Sequence, residues 1–113
     1  MKRNTAQLKE QLIQTGIDEI GKHGIEQLSL RTVAKACGVT HGSPYRHFES
    51  KEGYLKVVLT QLSLFLNQEI NENIDATGSA RDQLTQLGLN FIIFAKTYPH
   101  FFEALFIKFP FKY

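Results

Sequence analysis

"GVTHGSPYRHF", Gly38 to Phe48, lies between two segments with helical spacing, and its reading decides the fold. Gly42 and Pro44 stand two residues apart, which argues against a long continuous helix. Yet the stretch closes on Tyr45, Arg46, His47 and Phe48, four large side chains with no loop character. Upstream, Ser29 is a good N-cap for a short helix holding Leu30, Val33 and Ala34, which Gly38 ends. Thr40 is placed to cap the next helix, and Ser50 the one after it. A short helix, a tight turn containing Gly and a second short helix make a helix-turn-helix. Ala34 is small enough to let the two helices approach. Gly38 supplies the positive φ of the turn, and Val39 plugs that turn into the core.

The second of these helices has the marks of a recognition helix. A helix N-terminus offers unpaired N–H groups and partial positive charge to phosphate oxygens. Gly42 and Ser43 hold no bulk there that would keep DNA away, and Pro44 is tolerable within a first turn. Tyr45, Arg46 and His47 follow on the exposed flank as hydrogen-bond donors. Phe48 turns back into the core, and Lys51 opens the next helix beside the same surface.

Helical spacing extends in both directions. Leu8, Leu12, Ile13, Gly16, Ile17 and Ile20 form one apolar stripe that should stop at Gly24, with Lys22 and His23 at its negative end. Tyr54, Leu55, Val58, Leu59, Leu62, Leu66 and Ile70 give a long helix from about residue 51 to about residue 73. "DATGSARD", Asp75–Asp82, breaks the pattern. A fifth helix follows with Leu84, Leu87, Leu89, Phe91, Ile92, Phe94 and Ala95, closed by Pro99, and "HFFEALFIKFPFKY" begins another. The fold class is all-α: a three-helix helix-turn-helix domain over residues 1–50, then over 51–113 a connecting helix and part of a helical regulatory domain. Seven of the nine Phe lie from Phe91 onward, and Phe101, Phe102, Leu105, Phe106, Phe109 and Phe111 are expected to lack cover. Such a patch lines a ligand cavity or meets a partner.

Composition excludes several classes. Apolar residues at 42% supply a core, and charged residues at 21% without low-complexity tracts argue against disorder. Cys37 is alone, so neither a disulfide framework nor a cysteine-rich zinc site is expected. No uncharged run reaches the roughly 18 residues of a membrane span, and the N-terminus has no apolar signal core. These features point to a cytoplasmic protein. Net charge is +2, but residues 1–60 carry nine Lys/Arg against six Asp/Glu, whereas residues 61–113 carry four against five. That excess is too small to argue for nucleic acid by itself, so local placement carries the reading. His41 and His47 have no carboxylate or Cys at ligand spacing, so no metal or other cofactor is expected. No activated nucleophile or acid/base pair suggests an enzyme. The alternative to DNA binding is a helical interaction module that uses the Phe-rich surface.

"LSLRTVAKACGVTHGSPYRHFESKEGYL" resembles the DNA-binding segment of the TetR (AcrR-like) family of bacterial transcriptional regulators. The resemblance spans about residues 7–60 and is most specific over 28–55: Ala34, Gly38-Val39, Gly42, Tyr45, His47-Phe48 and Ser50-Lys51. "KTYPHFFEALF" is similar to the start of the regulatory body in one subset of the family. The resemblance implies a repressor that binds double-stranded operator DNA and dimerises through its body. It also implies release from DNA by a small apolar effector bound in that body. By the same resemblance Thr40, Tyr45, His47 and Lys51 match phosphate-contacting positions. Arg31, His41, Gly42, Ser43 and Arg46 match positions facing base edges or backbone. Two departures stand out. Family members are longer, which places their dimer-forming helices beyond Tyr113. Gly53 stands where a Glu would complete a capping box with Ser50.

Overall fold

The computed structural model describes residues 4–108, and among these all regular structure is helical. Helix α1, Thr5–His23, opens on Asn4, whose side chain accepts from the Gln7 N–H at 2.7 Å while Gln7 returns a bond to the Asn4 N–H. This reciprocal capping box fixes the entry of the chain. Gly24 ends α1 with φ +87, as its position implied. After a 3-10 turn at Ile25–Gln27, α2 spans Leu30–Ala36, with Ser29 accepting from the Thr32 N–H. Helix α3 is Ser43–Phe48, α4 is Lys51–Ile70, α5 is Ala80–Thr97 and α6 is Pro99–Phe102. Pro99 does more than stop α5: it occupies the first turn of α6, where its missing N–H costs nothing. The backbone then widens into a π-turn at Glu103–Ile107, closed by the Lys108 N–H donating to Glu103 O at 2.7 Å.

One core serves most of these elements. Leu12 and Ile20 of α1, Val33 of α2, Phe48 of α3, Tyr54, Val58 and Leu62 of α4, and Ala104 of the π-turn all lie in a single buried cluster. Tyr54 locks α1 to α4. It is fully buried, its hydroxyl donates to Leu12 O at 2.5 Å, and burial pushes the phenol above its ordinary pKa. Gly16 makes room for it, because a Cβ at that position would run into the Tyr54 hydroxyl.

Residues beyond α4 hold together differently. Asn90 donates from its amide to Ile70 O at 2.9 Å and Glu72 O at 2.7 Å, tying α5 to the end of α4. Phe65, Phe94, Tyr98 and Phe101 form one aromatic cluster, and Phe91, Phe102 and Phe106 form a second. Aromatic pairs at such separations contribute about 0.5–1.5 kcal/mol beyond their buried area. The expectation of an uncovered Phe-rich end is therefore corrected in part. Phe101, Phe102 and Leu105 are half-buried, because α6 folds back onto α1 and α5. Exposed apolar side chains lie instead on α5 (Leu84, Leu89, Ile92 and Ile93) and at Phe106 and Ile107. Phe109 and Phe111 lie outside the described residues.

Candidate nucleic-acid interface

The turn between α2 and α3 is built by backbone chemistry. Gly38, with φ +71, lets its own N–H donate to Lys35 O and the Val39 N–H reach back to Ala34 O, both near 3.0 Å. This pair of bonds is a Schellman motif, and Val39 follows it onto the core. Thr40 does not cap α3 with its side chain. Its carbonyl instead accepts from the Ser43 N–H at 3.0 Å, and α3 begins at Ser43 with no side-chain cap. The later start puts Pro44 in the first turn, so no helical hydrogen bond is lost to it.

Burial then sorts α3 into two faces. Ser43, Pro44 and Phe48 point inward. Ser43 retains only 8% of its accessible surface, so its hydroxyl is withdrawn from the face on which it was expected. Gly42, Tyr45 and Arg46, spaced by three and four residues, share the outer face. Tyr45 is 48% exposed. Gly42 has φ −78, and a Cβ there would meet nothing within 4 Å, so neither backbone strain nor packing requires glycine. Its effect is to leave a notch beside Tyr45 and Arg46. His47 sits half-exposed on the flank, its ring 6.0 Å from that of Phe48.

The remaining candidates surround this face. Arg31 is exposed in the first turn of α2, and Thr40 and His41 are exposed in the turn. Lys51 is exposed in the first turn of α4, which Ser50 caps by accepting from the Gly53 N–H at 3.0 Å. Gly53 has a reason of its own: a Cβ there would run into the Phe48 carbonyl oxygen, so the close approach of α3 to α4 forbids the capping-box Glu. Among the described residues no carboxylate pairs with Arg31, Lys35, Arg46 or Lys51, whereas Glu52 is engaged by Lys56 at 3.6 Å. The arrangement presents uncompensated cations, a tyrosine hydroxyl and an imidazole around a helix face with a gap in it. The sequence reading missed Lys9, whose ammonium lies 5.8 Å from the centre of the Phe48 ring. Nothing local to α1 signals that contact. No group of three His, Cys, Asp or Glu among the described residues could hold a metal ion.

Three helices around one core, with α2 and α3 joined by a Gly-ended turn, define a helix-turn-helix protein. Residues 12–58 match the family model described as "Bacterial regulatory proteins, tetR family". Over 93 residues the chain is 32% identical to the probable acrEF/envCD operon repressor of Escherichia coli K12, covering 81% of this chain and 41% of that protein. It is 28% identical over 82 residues to the HTH-type transcriptional repressor KstR2 of Mycolicibacterium smegmatis, covering 73% of this chain and 40% of the relative. A crystal structure of a TetR-family transcriptional regulator from Haemophilus influenzae shares the fold, with a TM-score of 0.64 at 22% identity. That match takes in 92% of this chain and 57% of the other. The chain belongs to the TetR family of bacterial regulators and spans about two fifths of the length of these two curated relatives.

Proposed function

We propose that the chain is a DNA-binding transcriptional repressor of the TetR type, not an enzyme, acting in the cytoplasm on double-stranded operator DNA. One observation carries the reading: the outer face of α3, with Gly42, Tyr45 and Arg46, is ringed by exposed cations that no carboxylate neutralises. The repressor relatives support it. In this reading Thr40, Tyr45, His47 and Lys51 hold phosphates. Arg31, His41 and Arg46 face base edges or backbone across the Gly42 notch, and buried Ser43 contributes by its small size. Residues 1–50 are the reading head, and residues 51–113 are the connecting helix and part of a regulatory domain. That domain forms a homodimer and takes a small effector whose binding releases DNA. Exposed Leu84, Ile92 and Ile93 on α5 favour such association, and the same residues would serve an interaction module without DNA.

The test is a fluorescence-anisotropy titration of labelled duplex DNA at several salt concentrations. Each phosphate contact contributes about 0.9 to the slope of log K against log salt. Lys51→Ala is expected to lower that slope by about one per head and to weaken operator and random DNA in proportion. Wild type without salt-dependent binding would leave the interaction-module reading in its place.

A further inference from the structure

We infer that Lys9, on α1, is a further phosphate-binding residue that extends the contact surface past the helix-turn-helix itself. The inference rests on the DNA-binding reading above and adds an element to it. Lys9 is exposed and lies one turn into α1, whose first turn holds no acidic residue. Among the described residues no carboxylate pairs with it. Its ammonium stands over the ring of Phe48, the last residue of α3, at 5.8 Å. The Phe48 ring also makes a T-shaped contact with Tyr54, 5.0 Å between centroids.

A buried phenylalanine pinned by a buried tyrosine is a rigid platform. A cation over such a platform loses part of its conformational freedom before it meets any ligand. The contact also sets the location. Phe48 adjoins His47, and Lys51 starts α4 three residues later, so Lys9 brings a cation from α1 to the end of α3 where those two residues lie. A lysine that served only to cover Phe48 would satisfy the aromatic face with its stem and leave DNA untouched. A phosphate-binding lysine leaves a counterion-release signature that packing cannot imitate.

The test uses the whole chain and a labelled random-sequence duplex, titrated across a salt series, so no operator need be known. Lys9→Gln should lower the slope of log K against log salt by about 0.9 per head, and Lys9→Arg should restore it. Thermal melting of each variant is followed in parallel, because loss of the Phe48 contact affects stability but not the slope. Lys9→Gln with an unchanged slope, while Lys51→Ala lowers it, would overturn the assignment of Lys9 and leave the DNA-binding reading standing. Slopes flat in the wild type and in both variants would instead remove that reading.

Discussion

Gly42→Glu separates the binding surface from the fold, because glycine is needed there for neither conformation nor packing. With φ −78 and nothing within 4 Å of the added Cβ, a side chain at 42 is sterically free. Replacing glycine at a φ that any residue adopts restricts the unfolded chain and gains about 0.4–1 kcal/mol. A carboxylate at the N-terminal edge of a helix gains a further 0.3–1 kcal/mol or so. The fold should therefore lose nothing, and the melting temperature should hold or rise by about 5 °C. At the DNA surface the sign reverses. A carboxylate about 6 Å from one phosphate costs about 0.7 kcal/mol in bulk water and about 3 kcal/mol at an effective dielectric near 20. These values correspond to affinity losses of about 3-fold to more than 100-fold per phosphate faced. Gly42→Ala adds bulk without charge and should lie between wild type and Gly42→Glu. Anisotropy titrations give the affinities, and melting followed by circular dichroism gives the stability. If Gly42→Glu melts well below wild type, the backbone reading of residue 42 is wrong. If it stays folded and binds DNA undiminished at low salt, the outer face of α3 is not where DNA lies.

Two further outcomes concern the lock between α1 and α4. Gly16→Ala drives a methyl into the Tyr54 hydroxyl, so overpacking of about 1–3 kcal/mol should outweigh the helix-propensity gain of about 1 kcal/mol. Urea denaturation should report a net loss, and adding Tyr54→Phe should cost less than the two single changes summed. Burial also raises the Tyr54 pKa above its ordinary value near 10, so the folded state keeps a proton that the unfolded state gives up. Its contribution is whole below pH 10 and is lost above it, by about 1.4 kcal/mol at pH 11. Denaturation at pH 8 and 11 should show a decline that is smaller by that amount in Tyr54→Phe, and identical declines would refute the shift.

Features carried by local chemistry were legible in the sequence. Ser29, Ser50, Gly24 and Gly38 act where their side chains or their lack of one dictate, because caps and positive-φ turns depend only on nearby residues. The apolar stripe of α4 was readable for the same reason, since Tyr54, Leu55, Val58, Leu59, Leu62 and Leu66 are all buried. Thr40 misled because a capping side chain and a bare carbonyl can serve the same N–H, and here the carbonyl does. Ser43 misled because a small polar residue fits either face of a six-residue helix. The notch that Gly16 leaves for Tyr54, the Asn90 clamp and the platform under Lys9 join residues at least 18 positions apart, and no local spacing encodes such contacts.

The same distant contacts decide which parts of the chain move together. Phe94 is the one fully buried side chain of α5, and the half-buried Phe91, packed on Phe102 and Phe106, and the Asn90 amide hold that helix beside it. The segment after it reaches the shared core directly. Ala104 is fully buried in the core that α1 and α4 share, and the Phe101 ring lies 3.2 Å from where a Gly21 Cβ would stand. Lys108 adds bridges to Glu26 at 3.4 Å and Glu103 at 3.5 Å, but exposed pairs of that kind are worth less than about 1 kcal/mol. The packing therefore outweighs the charges at this joint. Close-packed contacts do not stretch continuously; they hold or they repack. A displacement of α6 must either carry α1 with it or open a void beside Ala104 and Phe101. Because α1, α2 and α3 share the core of Leu12 and Ile20, the orientation of the Gly42–Tyr45–Arg46 face is tied to the position of α6.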